Sequence, residues 1–255
     1  MPTTSHLTEK LARLQALRPL EAAQVRALEE KVVAAFELEV IATSNQIEGN
    51  SLTLRETEMV LSKGVTIAGK PLKDHLEAVN LAAAFAYLKS IVASGEPITG
   101  RLVRELHQMV LSRIDDAWAG TYRTVPVRIS GAAFVPPSPL DVPRLMEDWE
   151  KSLASAADLH PALLAADVHE KLVTIHPFVD GNGRTARLLM NLVFLRAGYP
   201  AIVIPSDSAS RLAYYDALEA TQTGADPAAF RHFIIRAADA MLDRYLETLA
   251  PAATL

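Results

Sequence analysis

Apolar residues recur every three or four positions along most of this chain, with charged residues between them. That period is typical of helices that bury one face. Residues 20–42 and 73–94 are the longest stretches of this kind, and they predict two long helices. Helix-starting residues predict further helices at Thr53 with Glu56, at Thr99, at Asp141 with Pro143, at Pro161, and at Asp226 with Pro227.

Glycine and proline mark where these helices end. Gly64 follows the short helix that begins after Thr53, and Gly95 follows the helix over 73–94. Pro177 disfavours helical backbone in the residue before it. The helix that begins near Pro161 is therefore expected to stop at His176 and continue as a loop.

Residues 121–137 break the helical pattern. The run V-P-V-R-I-S-G-A-A-F-V-P-P alternates in polarity, has a turn signal at Ser130 and Gly131, and ends in two prolines. It predicts a β-hairpin, which is only marginally stable alone and must pack on helices or a ligand. A surface loop without such a role is the alternative. The predicted fold class is all-α, mainly helical, with this one β-hairpin flap.

Composition narrows the class of protein. The chain has 255 residues, half of them apolar and 6% aromatic, which is enough for a sizeable core. A formal net charge of −5 gives no general attraction to DNA or an acidic membrane. The absence of cysteine excludes disulfides and thiolate chemistry. The N-terminus lacks a signal-peptide pattern and no uninterrupted apolar run approaches about 20 residues, so we expect a cytoplasmic protein without membrane or DNA partners.

Residues 176–187, H-P-F-V-D-G-N-G-R-T-A-R, carry the strongest chemical signal. A glycine-rich turn that opens a helix offers unpaired N–H groups and the positive end of the helix dipole to an anion. Arg184 and Arg187 lie three residues apart and project from the same side, where their guanidinium groups can bind phosphate oxygens. Asp180 supplies the oxygen ligand that Mg²⁺ prefers, and His176 can accept a proton near neutral pH.

This stretch resembles the core motif of the Fic (Fido) family, H-x-F-x-[DE]-G-N-G-R-x-x-R, at every specified position. Residues 120–123 (G-T-Y-R) and 66–80 are similar to further parts of that family. The resemblance implies a mainly helical Fic fold. It also implies transfer of AMP from ATP to a Ser, Thr or Tyr hydroxyl of a target protein, with release of pyrophosphate. Relatives often form dimers, so the resemblance also allows a homodimer as the oligomeric state.

The resemblance assigns a role to each residue of the motif. His176 would be the general base, Asp180 would hold Mg²⁺, and Phe178 would be a core anchor. Arg184 would contact the β-phosphate region and Arg187 the γ-phosphate. The anion-binding turn would consist of Gly181, Asn182 and Gly183.

The same resemblance extends to the ligand-binding surroundings. Ile129, Ser130, Gly131 and Ala132 would form the flap tip that contacts the target or the nucleotide. Tyr214 and Tyr215 would border the nucleoside, and Tyr215 is suited to stack on adenine. Gln222 stands where several relatives have asparagine, which leaves the base preference open.

Residues 44–49, S-N-Q-I-E-G, fit the family's inhibitory motif, [ST]-x-x-x-E-[GN]. Ser44 and Glu48 would lie on one side of the last turn of a helix, with Gly49 as its cap. In such relatives the glutamate pairs with the second arginine of the core motif, here Arg187, and ATP then binds in an unreactive pose. The implied organisation is an N-terminal helical region, 1–95, with the inhibitory helix at about 30–49, then the Fic core, 96–200, and C-terminal helices, 201–255.

Several other readings stay open. Glu48 would align a water molecule if the enzyme removes AMP from a modified target. A Doc-like enzyme would transfer a phosphoryl group from a reversed nucleotide. A nucleotide sensor or scaffold and a DNA-binding regulator are the non-enzymatic alternatives. A metal site formed by other histidines is not expected, because no two of His75, His107, His169 and His232 have the spacing of zinc-binding helices.

Overall fold

The computed structural model describes residues 2–17, 23–156 and 158–249, and every regular element within those ranges is helical. A short 3₁₀ turn, Pro139–Asp141, leads into the sixth helix. The ten α-helices are α1 (Thr4–Ala16), α2 (Ala23–Ile47), α3 (Leu54–Lys63), α4 (Leu72–Ser94), α5 (Gly100–Leu111), α6 (Val142–Ala154), α7 (Pro161–Ile175), α8 (Asn182–Arg196), α9 (Ser208–Gln222) and α10 (Ala229–Leu249).

Local capping explains where several helices begin and end. Thr53 and Glu56 form the expected capping box at the start of α3, and Gly64 ends that helix in the left-handed conformation. The Thr99 hydroxyl accepts a hydrogen bond from a backbone N–H at the start of α5. These predictions are confirmed. Helix α1 was not predicted, and part of the expected helix over 20–42 lies outside the described residues.

Helices α7 and α8 form the centre of the fold and pack along each other. Helix α10 covers α7, while α4 and α5 cover α8. Both central helices are therefore buried along most of their length, and α8 buries the polar side chains of Arg184, Arg187 and Asn191 among its apolar ones. Helix α1 packs on α10, so the two ends of the described chain meet on one side of the core.

Helix α4 is long and apolar enough to cross a membrane, by length and composition alone. In this fold it packs against α2, α3, α5 and α8. It also buries the polar side chains Asp74, His75, Glu77 and Asn80 on its inner side. That packing identifies α4 as a core helix.

The predicted β-hairpin over 121–137 is wrong. Within the described residues no β-strand is present, and this segment is an irregular loop. The expected turn exists, because the Ala132 N–H donates to the Ile129 carbonyl and Gly131 has φ of 79°. No ladder joins its two arms, so the flap is a loop with a turn at its tip.

Two physical reasons account for the missing ladder. Pro126, Pro136 and Pro137 have no N–H group to donate between the arms. The carbonyl oxygens of Val125 and Pro137 instead accept hydrogen bonds from the buried Arg123 guanidinium, at 3.3 and 2.6 Å. Side-chain hydrogen bonds to one arginine thus replace strand pairing at the base of the flap.

Candidate functional site

The site begins where α7 ends. His176 adopts the left-handed conformation, with φ of 50° and ψ of 58°, and its N–H donates to the Leu172 carbonyl at 2.9 Å. This conformation costs a non-glycine residue about 1 kcal/mol, and the following Pro177 excludes a further helical turn. The chain therefore turns sharply at His176, as the sequence predicts.

The imidazole of His176 is prepared to accept a proton. Its Nδ1 lies 3.2 Å from the Val173 carbonyl oxygen, and because a carbonyl only accepts, Nδ1 carries the hydrogen. Nε2 then has a free lone pair. Burial lowers the pKa of His176 below its usual value. The Val173 hydrogen bond raises this pKa, and the Arg123 charge lowers it further. The ring is accordingly neutral at pH 7.

The loop between α7 and α8 is closed by Asn182. Its amide donates to the Phe178 carbonyl at 2.9 Å and accepts from the Phe178 N–H at 3.0 Å. Phe178 is fully buried and stacks on His107, with 3.6 Å between ring centroids. The Asn182 side chain thus shapes the loop, and Phe178 anchors it in the core.

Asp180 stands at the outer edge of this loop with its side chain about half exposed. Its Oδ1 accepts from the Gly181 N–H at 2.6 Å and lies 3.3 Å from an Arg184 nitrogen. Burial raises the pKa of Asp180, but the Arg184 charge and the Gly181 hydrogen bond outweigh it and leave the pKa below its usual value. The carboxylate is therefore ionised and partly open to a cation. Within the described ranges no three acidic or histidine residues form a metal cage.

The N-terminus of α8 directs the positive end of its helix dipole toward the site. Gly183 lies in its first turn, and a Cβ atom at this position would collide with the Glu48 carboxylate. Glu48 follows the end of α2 in a tight turn that Gly49 completes with φ of 95°. A carboxylate thus occupies the place where helix N–H groups attract negative charge.

Arg184 points to the inner side of α8 and is 1% exposed. It donates to Glu77 of α4 at 2.9 Å and to Asp180. Glu77 is itself buried and also accepts from Asn50 at 2.8 Å. The first arginine of the motif is therefore held by a carboxylate inside the core.

Arg187, one turn further along α8, faces α2. Its Nη2 donates to Glu48 at 2.6 Å and to the Ser44 carbonyl at 2.8 Å, and its Nε donates to the Ser44 hydroxyl at 2.8 Å. Its Nη1 donates to the Tyr214 hydroxyl at 3.2 Å. The structure thus places Ser44 and Glu48 against the arginine with which the family resemblance pairs the glutamate.

A cleft of about 810 Å³ opens beside these groups, a volume suited to a nucleotide. His176, Gly183 and Glu48 line one part of it. Its walls also include the flap-tip residues Ile129, Ser130, Gly131 and Ala132 and the helical residues Tyr214, Tyr215 and Gln222.

The three residues expected at the nucleoside differ in their surroundings. Tyr215 is half exposed and donates to the Ile47 carbonyl at 3.1 Å. Gln222 donates to the Thr174 hydroxyl at 3.1 Å. Tyr214 is buried, and its hydroxyl contacts Arg187. Tyr214 therefore belongs to the arginine's surroundings as well as to the cleft wall.

Sequence reasoning missed three residues that shape the site. Arg123 is 1% exposed and donates to the His176 carbonyl at 2.7 Å, which ties the flap base to the loop between α7 and α8. His107 donates to the Asp180 carbonyl at 2.8 Å and accepts from the Gly120 N–H at 2.9 Å. Glu77 holds Arg184. A polar residue on the apolar face of a predicted helix was the available signal for His107 and Glu77.

Comparisons with known proteins agree with this geometry. The sequence profile described as Fic/DOC family matches residues 97–194. A Drosophila grimshawi protein named protein adenylyltransferase Fic is 39% identical over 242 residues, which is 94% of this chain and 48% of that protein. The chain thus spans about half the length of this curated relative.

Solved structures extend the likeness to the whole fold. Fic-1 from C. elegans (residues 134–508) is 30% identical with a TM-score of 0.82, over 96% of this chain and 70% of that one. A Fic-domain-containing signaling protein from Bacteroides thetaiotaomicron is also 30% identical, with a TM-score of 0.83, over 96% and 98% of the two chains. With its helical fold and complete core motif, this chain belongs to the Fic/DOC family.

Proposed function

We propose that this chain is an autoinhibited protein adenylyltransferase, which transfers AMP from ATP to a Ser, Thr or Tyr hydroxyl of a target protein. The observation that carries the proposal is the 2.6 Å contact between Glu48 and Arg187, next to a neutral His176 and the N-terminus of α8. A catalytic base, an anion-binding turn and a blocking carboxylate lie together. The names of the curated relatives support the same activity.

The residues present suit each part of the transfer. His176 Nε2 accepts the proton of the target hydroxyl, the oxygen forms a bond to the α-phosphorus, and the bond to pyrophosphate breaks. Gly183 in the first turn of α8 and Arg187, once Glu48 has released it, bind the phosphates. The Gly181 N–H and Arg184 hold Asp180.

Asp180 fits a Mg²⁺ ion that is shared with the nucleotide. Its carboxylate is ionised and partly exposed, and a single protein carboxylate with phosphate and water oxygens is a usual set of ligands for this ion. When bound, the ion would neutralise part of the phosphate charge. Asp180 would hold it, and Arg184 fixes the position of Asp180.

Glu48 inhibits through Arg187 in this proposal. While Glu48 holds the guanidinium, the γ-phosphate lacks its partner and ATP binds out of line for attack. A charge-assisted pair contributes roughly 1.5–3 kcal/mol, and a 99:1 ratio of inactive to active protein requires about 2.7 kcal/mol. One such ion pair is therefore nearly sufficient to hold the protein in the inactive state.

The test is incubation of wild-type protein, Glu48→Gly and the double variant Glu48→Gly/His176→Ala with α-labelled or γ-labelled ATP and Mg²⁺. We expect label from the α position on protein, most strongly in Glu48→Gly, and none when His176 is also replaced. The double variant should still bind ATP. Transfer of γ-label would instead identify a Doc-like kinase, and no transfer of either label would contradict the proposal.

Removal of AMP is the second candidate, because Glu48 lines the same cleft as His176 and can align a water molecule there. Incubation of premodified protein with wild type and Glu48→Gly separates the two reactions. Loss of AMP only when Glu48 is present would assign the reverse reaction to this chain.

A further inference from the structure

Behind Arg187 lies a buried polar chain with no part in the chemistry described above. Arg187 Nη1 lies 3.2 Å from the Tyr214 hydroxyl, which lies 3.0 Å from His169 Nε2. Tyr214 is 2% exposed and His169 is fully buried. These two residues come from α9 and α7, whereas Ser44 and Glu48 reach the same arginine from α2.

The direction of each hydrogen bond in this chain follows from the donors available. A guanidinium only donates, so the Tyr214 oxygen accepts from Arg187 and its own hydrogen is free for His169. His169 Nε2 is the acceptor that the structure offers to this hydrogen, so Nε2 carries a lone pair and the ring is neutral. Burial, helped by the Arg187 charge, holds the pKa of His169 well below its usual value.

Burial of His169 leaves one of its ring nitrogens without a hydrogen-bond partner among the described residues. With Nε2 accepting, the hydrogen is on Nδ1, and no acceptor for it is found among the described residues. An unsatisfied buried donor lowers stability, which an apolar side chain would avoid. The benefit of the imidazole therefore lies in the contact that it makes with Tyr214.

We propose that Tyr214, supported by His169, is a positioning residue that keeps Arg187 directed toward the phosphate site after Glu48 has moved away. The inference rests on the proposed function. Arg187 has two groups of partners: Ser44 and Glu48 at the end of α2, and Tyr214 on α9 in the core. The arginine also lies against the Tyr214 ring, 5.8 Å from its centroid, so the aromatic face restrains it as well.

The experiment compares two nucleotides in the Glu48→Gly background. Isothermal titration with ATP and with AMP, each with Mg²⁺, is carried out with and without Tyr214→Phe. Only ATP has the terminal phosphate that Arg187 would bind. We expect Tyr214→Phe to weaken ATP binding about 3- to 10-fold, the value of one hydrogen bond, and to leave AMP binding unchanged. The KM for ATP should rise in parallel.

Two further variants test the direction of the hydrogen bond between Tyr214 and His169. His169→Gln places an acceptor near the former Nε2 and should retain most of the ATP affinity. His169→Leu offers none and should behave like Tyr214→Phe. Tyr199→Phe is the matched control. Tyr199 is also buried, and its hydroxyl lies 3.4 Å from Nε2 of a histidine, His160. This pair lies away from Arg187. It should not change the ratio of ATP to AMP affinity.

The outcomes separate this inference from the proposed function. Equal weakening of ATP and AMP by Tyr214→Phe would show general damage and overturn the positioning role, as would unchanged ATP binding. Selective loss of ATP affinity in a protein that transfers no α-label would support the positioning of Arg187 and contradict the adenylyltransferase proposal.

Discussion

Arg184 and Arg187 lie one turn apart on α8, and both are buried, yet their carboxylate partners differ in accessibility. Glu77, the partner of Arg184, is 5% exposed within the core, whereas the side chain of Glu48, the partner of Arg187, is 31% exposed beside the cleft. Water can replace Glu48 but not Glu77. The comparison indicates that one ion pair is a fixed part of the fold and the other can open.

Removing each carboxylate should therefore have unequal effects on stability. Glu77→Ala leaves the buried Arg184 charge with the half-exposed Asp180 as its one carboxylate partner, at 3.3 Å. We therefore expect a loss of about 3–5 kcal/mol in the free energy of unfolding. Glu48→Ala leaves Arg187 with Ser44, Tyr214 and incoming water, and we expect a smaller loss of about 1.5–3 kcal/mol, the contribution of the pair itself. Urea denaturation measures both, and equal losses would contradict the distinction.

His107, which donates to the Asp180 carbonyl, should make the free energy of unfolding depend on pH. Burial lowers the pKa of His107 to about 4, whereas an unfolded histidine titrates near 6.5. Between these values the unfolded chain binds a proton that the folded protein does not. Stability should therefore decrease as the pH falls through this window, by about 3 kcal/mol from this residue. Denaturation of wild type and His107→Gln at pH 7 and pH 4 checks this, and a difference that does not change with pH would contradict it.

The two arginines also show which parts of the site can be predicted from the sequence. His176, Gly183 and Arg187 fall within one loop and the helix turn that follows it, so the motif spacing alone brings them together. The Arg184–Glu77 pair joins residues 107 positions apart. It depends on how α4 packs on α8. A glutamate on an apolar helix face signals a buried carboxylate, but the sequence does not identify its partner.

The flap illustrates a different limit. The turn signal at Gly131 agrees with the observed turn, but the alternation on either side of it wrongly predicted paired strands. Strand pairing, however, requires N–H groups, and the outcome there depended on the prolines and on Arg123, whose guanidinium binds carbonyl oxygens at the flap base. Hydrogen bonds from one buried guanidinium to backbone carbonyl oxygens leave no periodic signal in the sequence.

The pair that can open should respond to the charge of residue 48 in graded steps. Glu48→Gly removes the carboxylate, and we expect α-label transfer to rise about 10- to 100-fold, equivalent to roughly 1.4–2.7 kcal/mol. Glu48→Gln keeps a hydrogen-bond acceptor for Arg187 without the charge, so its rate should lie between those of wild type and Glu48→Gly. Initial rates of self-modification provide the measurement. A glutamine variant as fast as the glycine variant would show that the hydrogen bond contributes little without the charge.

The smallest effect is expected at Ser44, whose side chain contributes one neutral acceptor to the same arginine. Ser44→Ala removes the hydroxyl but keeps the backbone carbonyl, so transfer should rise only about 2- to 10-fold, the value of one hydrogen bond. Thr43→Ala is the matched control, because that neighbouring hydroxyl bonds only within α2, to the Glu39 carbonyl. If Ser44 acts solely by keeping Arg187 on Glu48, then Ser44→Ala should add nothing in the Glu48→Gly background. A further rise in the double variant would mean that Ser44 restrains the arginine independently of the carboxylate.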